Sequence, residues 1–93
     1  MKRKHLICYD ISNDKKRTLV SKLLEQTGRR CQYSVFMCSF SPSEKSALIE
    51  KLVSLAENSD SILIIPFSDA MFEKTRSIGN NKKFFKKDQL EFF

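Results

Sequence analysis

The chain has no tryptophan and, in 93 residues, only two glycines, two prolines and one histidine. Each scarcity removes a class of function. With Gly28 and Gly79 the only glycines, there is no phosphate-cradling loop and no dinucleotide fingerprint. His5 is the one imidazole, and it lies in a strand-like run with no signature of a Ser-His-Asp triad. The cysteines Cys8, Cys31 and Cys38 are odd in number and form no C-x-x-C pair. That argues against a zinc site and against a ferredoxin-like metallochaperone, and predicts reduced thiols buried in apolar segments. Long apolar runs are missing too. Ile62 to Phe67 is a strand's length and cannot span a bilayer, and Leu6 to Tyr9, behind the basic start, is too short for a signal peptide. The expectation is a cytoplasmic protein with no membrane partner.

What is present is positive charge and phenylalanine. Seventeen Lys and Arg face 11 Asp and Glu, a net +6, and eight of the residues are Phe. Excess cations favour polyanions, because each neutralised phosphate releases condensed counterions. On charge alone, nucleic acid and a Lys-rich solvated surface are equally served. An apolar fraction of 41% belongs to a folded chain, and a domain this short has a limited core that association would help.

His5 to Tyr9 reads as a buried strand stopped by Asp10. Ser12, Asn13 and Asp14 are N-cap candidates for a helix whose apolar stripe is Leu19, Val20, Leu23 and Leu24, with Gly28 as its C′ residue. Arg29 to Phe40 is one long strand or two short ones, with no Gly or Pro to mark a turn. Ser41-Pro42-Ser43-Glu44 starts a second helix with a capping box, and Ala47, Leu48, Ile49, Leu52, Val53, Leu55 and Ala56 are its expected buried face. Ser61 to Phe67 is a further strand, Ala70 to Ile78 is ambiguous, and Gly79-Asn80-Asn81 is a turn.

This order predicts an α+β, ferredoxin-like βαββαβ sandwich: an antiparallel sheet with two helices on one face, plus a C-terminal strand or tail. Residues 1–79 form the domain. Residues 80–93 form the tail, where Phe84, Phe85, Phe92 and Phe93 stand among lysines and are expected to dock on a partner subunit.

The candidate site begins at Asp10, a carboxylate at the sheet's rim, where loops place functional groups. It could merely cap the first helix, but Ser12, Asn13 and Asp14 already serve that end. The spacing Asp10-x-Ser12-x-Asp14 fails as a calcium loop, since Lys15 holds the sixth position and Ser21 the twelfth. An RNA-recognition motif fails because Tyr33 to Phe40 contains no glycine. One carboxylate is a poor magnesium site, whereas a two-fold dimer could bring two copies of Asp10 to one metal.

Tyr9-Asp10-Ile11-Ser12, Lys16-Arg17, Gly28-Arg29-Arg30-Cys31-Gln32-Tyr33-Ser34-Val35-Phe36 and Ser41-Pro42-Ser43-Glu44 follow in order at close spacing. From about Leu6 to Pro66 the chain resembles the CRISPR-associated protein two family, the small non-integrase subunit of the spacer-acquisition machinery. The resemblance implies a ferredoxin-like homodimer with a C-terminal strand pairing across to the other subunit, and a break near Tyr33–Ser34 between two strands. It implies two flanking dimers of the integrase subunit and protospacer duplex DNA lying across the assembly. It also implies a magnesium-dependent endonuclease acting on single-stranded RNA or duplex DNA, with Asp10 as catalytic residue and, one from each subunit, as metal ligand. Two positions depart from the family pattern. Met37 stands where Glu often follows Val-Phe, and Pro66-Phe67-Ser68 stands where Pro-Leu-Cys is frequent.

Arg17, Arg30, Lys15 and Lys16 are the candidate nucleic-acid contacts. Arg17 reads first as a residue solvating its helix face and second as a phosphate contact, and Arg30 with Gln32 could equally pair across a dimer. Ser34 and Phe36 read as structural, and Tyr9 as a core or interface residue. Three functions follow: a DNA-bridging scaffold, a nuclease using Asp10 and Mg2+, and a toxin-like ribonuclease on the same small fold.

Overall fold

A computed structural model describes residues 1–79. The chain runs β1 (Arg3–Asp10), α1 (Asp14–Glu25), β2 (Gly28–Gln32), β3 (Val35–Phe40), α2 (Pro42–Leu55), β4 (Ser61–Pro66) and α3 (Asp69–Lys74). The strands form one sheet in the order β2-β3-β1-β4, every neighbour antiparallel. This is the ferredoxin-like sandwich the sequence predicts, with β1 near the centre.

The register sorts the residues into two faces, because directly opposed residues in antiparallel strands project to the same side. His5, Ile7 and Tyr9 share a face with Cys38, Phe36, Ile64 and Ile62. Val20 and Leu24 of α1 and Leu48 and Leu52 of α2 close over that face, and with Ile11 and Phe40 they complete the core. On the opposite face, Leu6 lies between Met37 and Ile65, Cys8 between Val35 and Leu63, and Asp10 opposite Ser61.

The helix starts follow the sequence. Asn13 caps α1 by accepting from the Lys16 amide, 2.9 Å away. Ser41 and Glu44 form the complete capping box on α2, at 3.2 and 2.9 Å, with Pro42 in the first turn.

Two expectations are corrected and one open stretch is resolved. Gly28 does not terminate α1, which ends at Glu25 with Gln26 as its cap. Gly28 opens β2, and its φ is not positive. A Cβ there would lie 2.2 Å from the Met37 carbonyl oxygen and 2.7 Å from Cys38 Sγ, so the glycine serves close approach of two strands. Secondly, the buried stripes are narrower than the periodicity suggests. Leu19 is half exposed, Ile49 is exposed, and Val53 is 72% exposed, so α2 buries chiefly Leu48 and Leu52. Thirdly, the ambiguous stretch after Phe67 holds a short helix, capped by Ser68. Arg29 to Phe40 does break at Tyr33–Ser34, with a register shift between Arg30 and Gln32 tightening the turn. The expectations for Asn80-Asn81 and for Phe84, Phe85, Phe92 and Phe93 lie outside the described residues.

Candidate functional site

Asp10 is the last residue of β1 rather than the first residue beyond it, held by strand pairing opposite Ser61. Strand alternation places it on the open face in line with Leu6 and Cys8, and it is exposed. The loops behind it are braced by Asp60. One carboxylate oxygen of Asp60 accepts from the Glu57 amide at 2.8 Å, and the other lies 3.5 Å from the Ser12 amide. Lys16 Nζ meets Glu57 Oε1 at 2.5 Å, tying α1 to the end of α2. These contacts fix the rim from which Asp10 projects.

The open face is apolar for most of its length. Leu6, Cys8, Val35 and Ile65 are half-buried, and Leu63 is 57% exposed. A carboxylate therefore ends a stripe of side chains that water solvates poorly. Among the described residues no three His, Cys, Asp or Glu side chains come together as metal ligands. Asp10 supplies one hard oxygen donor group per chain. Magnesium is often held by one or two carboxylates with water or phosphate completing the shell, so this donor set suits Mg2+ only when a second Asp10 or a phosphate joins it.

Across the sheet from Asp10 lies a second feature. Tyr9, Arg17, Thr18, Ser21, Arg30 and Tyr33, with Ser34, line a polar cleft of about 450 Å³ between α1 and the β2–β3 turn. Arg17 Nη1 donates to the Ile11 carbonyl at 3.0 Å, and Nη2 pairs with Asp14. Arg30 Nη1 donates to the Tyr33 carbonyl at 3.1 Å, and its guanidinium lies 5.3 Å from the Phe36 ring centroid. Each guanidinium is thus oriented by a main-chain carbonyl while other N–H groups remain for an anion. Burial pushes the Tyr9 phenol upward, and the positive charges of Arg30 and Arg17 oppose that shift. The phenol is thereby kept protonated beside two cations.

Of the four basic residues singled out from the sequence, Arg17 and Arg30 come together in this cleft. Lys16 is held instead by Glu57. Lys15 is exposed on α1 and makes no ion pair with a described residue. Tyr9 proves to be a core residue, 6% exposed, its ring 6.2 Å from that of Phe36. Two features went unread in the sequence. The hydroxyl lining from Thr18 and Ser21 is one, and helical spacing from Arg17 could have exposed it. The apolar open face is the other, legible in the alternation Leu6, Cys8, Asp10 once β1 is taken as central.

A sequence model of the family described as CRISPR associated protein Cas2 matches residues 3–75. The chain is 38% identical over 65 residues to CRISPR-associated endoribonuclease Cas2 3 of Synechocystis sp., covering 69% of this chain and 71% of that protein. It is 34% identical over 77 residues to CRISPR-associated endoribonuclease Cas2 2 of the same organism, covering 81% and 83%. Among solved structures, Streptococcus pyogenes Cas2 superposes with a TM-score of 0.72 at 27% identity, over 82% of this chain and 99% of that one. A chain of a partial Cas6-RT-Cas1–Cas2 complex superposes with a TM-score of 0.73 at 35% identity, over 87% and 90%.

Proposed function

The chain belongs to the Cas2 family of CRISPR-associated proteins, and we propose that it acts in spacer acquisition as a homodimer that bridges two dimers of the integrase subunit and holds protospacer duplex DNA. The observation that carries this reading is the apolar open face. Leu6, Cys8, Val35, Leu63 and Ile65 form one partly exposed apolar stripe, with Leu63 57% exposed, on a small domain that gains from covering it. A second copy related by a two-fold axis would cover it with its own identical stripe. The structural likeness to a chain of a complex containing Cas1 supports the integrase partner.

DNA is held, in this reading, through the oriented guanidiniums of Arg17 and Arg30 on phosphate oxygens, assisted by Lys15. Such contacts fix position without reading bases, which suits a protein that must accept any protospacer sequence. Lys16 contributes once released from Glu57.

A second reading is favoured by Asp10 itself. Two-fold pairing of the open faces would set two exposed carboxylates at the ends of facing apolar stripes. There Asp10 from each subunit would hold Mg2+, which would polarise a phosphodiester and lower the pKa of a bound water. The relatives' endoribonuclease names support this activity. The chain's own residues then have defined tasks: Asp10 as ligand, and Arg17 and Arg30, on the other face of the sheet, as phosphate contacts away from the metal.

Leu63→Glu tests the carrying observation. The side chain is 57% exposed, so the monomer's fold tolerates the change, while a charge is placed in the proposed dimer interface. The expected result is a monomer by sedimentation, with native circular dichroism and spacer integration lost. A Leu63→Glu protein that stays dimeric and integrates spacers would refute the open-face dimer.

A further inference from the structure

The end of β1 farthest from Asp10 carries a second basic surface that the rim does not use. Lys2, Arg3, Lys4 and Lys45 line a cleft of about 590 Å³ with Pro66 and Asp69. The fold assembles it from four places. Strand pairing sets Lys4 opposite Ser39, the Phe67 amide donates to the Lys4 carbonyl at 3.0 Å, and the Ser41 cap brings in Lys45 from the first turn of α2. Four cations thus line one concavity with a single lining carboxylate.

Their existing partners divide them. Lys2 Nζ is 3.6 Å from Glu44, and Lys4 Nζ lies 4.8 Å from the centroid of Phe72. Arg3 and Lys45 form no ion pair with any described residue. His5 adds no charge, since it is buried, stacked 4.5 Å from Phe40, and has its pKa lowered by that burial.

We propose that this cleft is a second phosphate-binding surface, with Arg3 and Lys45 as its principal contacts, so that a nucleic acid strand or duplex is held at both ends of β1. The inference rests on the nucleic-acid reading above. Three of the four cations are lysines, flexible point charges that match phosphate oxygens without demanding one geometry. The cleft also lacks a bare aromatic anchor of the kind that dominates protein interfaces, because Phe67 is engaged edge-on with Phe72 at 5.9 Å. An eight-residue strand separates the cleft from Asp10 by ~23 Å, the length of about seven nucleotide steps in one strand of a duplex. Short oligonucleotides would therefore reach one end only.

The test compares the wild type, Arg3→Gln/Lys45→Gln and Arg17→Gln/Arg30→Gln by fluorescence anisotropy. The probes are a 30-base-pair duplex and a four-nucleotide single strand, titrated over a range of salt, with circular dichroism confirming each fold. Loss of two phosphate contacts at the far cleft should weaken duplex binding by ~10- to 100-fold at 0.1 M salt and lower the salt slope by about two. The short strand, which can occupy either end but cannot span both, should lose binding at one end only in each double variant, with a smaller loss of affinity than the duplex shows. Duplex binding and slope that match wild type in Arg3→Gln/Lys45→Gln, while the other double variant weakens, would overturn this inference and leave the proposed function standing. Wild-type protein that binds neither probe would overturn both. If Arg3→Gln/Lys45→Gln keeps duplex binding but loses capture of purified integrase subunit, the cleft belongs to a protein and the inference also fails.

Discussion

Tyr9 and Asp10 are consecutive in β1 yet project from opposite faces of the sheet. The phenol is packed against Phe36 beneath the helices, and the carboxylate stands in the open beyond Leu6 and Cys8. A cleft lined by Arg17 and Arg30 and a candidate metal ligand are therefore separated by the thickness of one sheet at the same rim. They are physically distinct, and substitutions should separate their contributions.

Asp10→Asn should leave the fold intact, because the residue is exposed and is held by backbone pairing with Ser61. Magnesium-dependent cleavage of RNA or DNA should fall by about 100-fold or more, since the asparagine keeps the shape and loses the charge that holds the ion. Duplex affinity should stay within about twofold of wild type, given that Arg17 and Arg30 lie on the other face. Parallel cleavage, binding and integration assays on one preparation check this. Integration at the wild-type rate identifies the scaffold, and its loss with the dimer intact assigns Asp10 a chemical part.

Gly28→Ala should cost about 2–3 kcal/mol, because the added carbon meets the Met37 carbonyl oxygen and the Cys38 Cα, both of them backbone. For a domain this size that is a fall in Tm of about 10 °C or more. Gly79→Ala meets no atom within 4 Å and strains only a positive φ of 86°, so about 1 kcal/mol is expected. Thermal denaturation of the two proteins ranks them, and an equal loss would show that strand approach is not what Gly28 provides.

Cys8 reports on the open face. It is half-buried, whereas Cys31 and Cys38 are buried thiols pushed upward in pKa by that burial. Iodoacetamide should modify Cys8 first in dilute protein and progressively more slowly as concentration favours the dimer, while the other two stay slow throughout. Mass spectrometry of the modified peptides reads this out. A Cys8 rate independent of concentration, over a range in which sedimentation shows the dimer forming, would place the interface elsewhere.

His5 makes stability depend on pH. Burial lowers its pKa from 6.5, Lys45 adds to the shift, and Nδ1 facing the Arg3 carbonyl opposes it. The unfolded chain thus takes up a proton before the folded one does, so stability should be fully present above about 6.5 and decline as pH falls toward the depressed folded value. His5→Phe preserves the ring stacked on Phe40 and should flatten that part of the profile. Urea midpoints between pH 5 and 8 test it, and a variant with the same slope as wild type would assign the effect to other groups.

How much of this was legible depended on whether the signal was local. Ser41, Pro42 and Glu44 announce a helix start because all three partners of the cap lie within one turn. Asp10 was visible for the same reason, as a charge closing an apolar run. Gly28 was misread because its constraint comes from Met37 and Cys38 across the hairpin, and the helix had already ended at Glu25. Ile49 and Val53 show the converse, apolar residues at helical spacing that remain exposed among the described residues. The turn at Tyr33–Ser34 contains neither Gly nor Pro, and only the family pattern located it. The pairing of Arg17 with Arg30 in one cleft is a tertiary fact, created where α1 packs beside β2.

The place of β1 in the sheet has a consequence for how the chain is made. Its two neighbours are β3 and β4, so β1 cannot complete its hydrogen bonding until Pro66 has emerged. At ~5–20 residues per second the interval from Asp10 to Pro66 lasts roughly 3–11 s. Throughout it an apolar strand stays unpaired along one edge, and its pairings are long-range ones that form slowly. Arg3 and Lys4, at the start of β1, place charge on that strand, and charge is what discourages an unpaired strand from pairing with another chain.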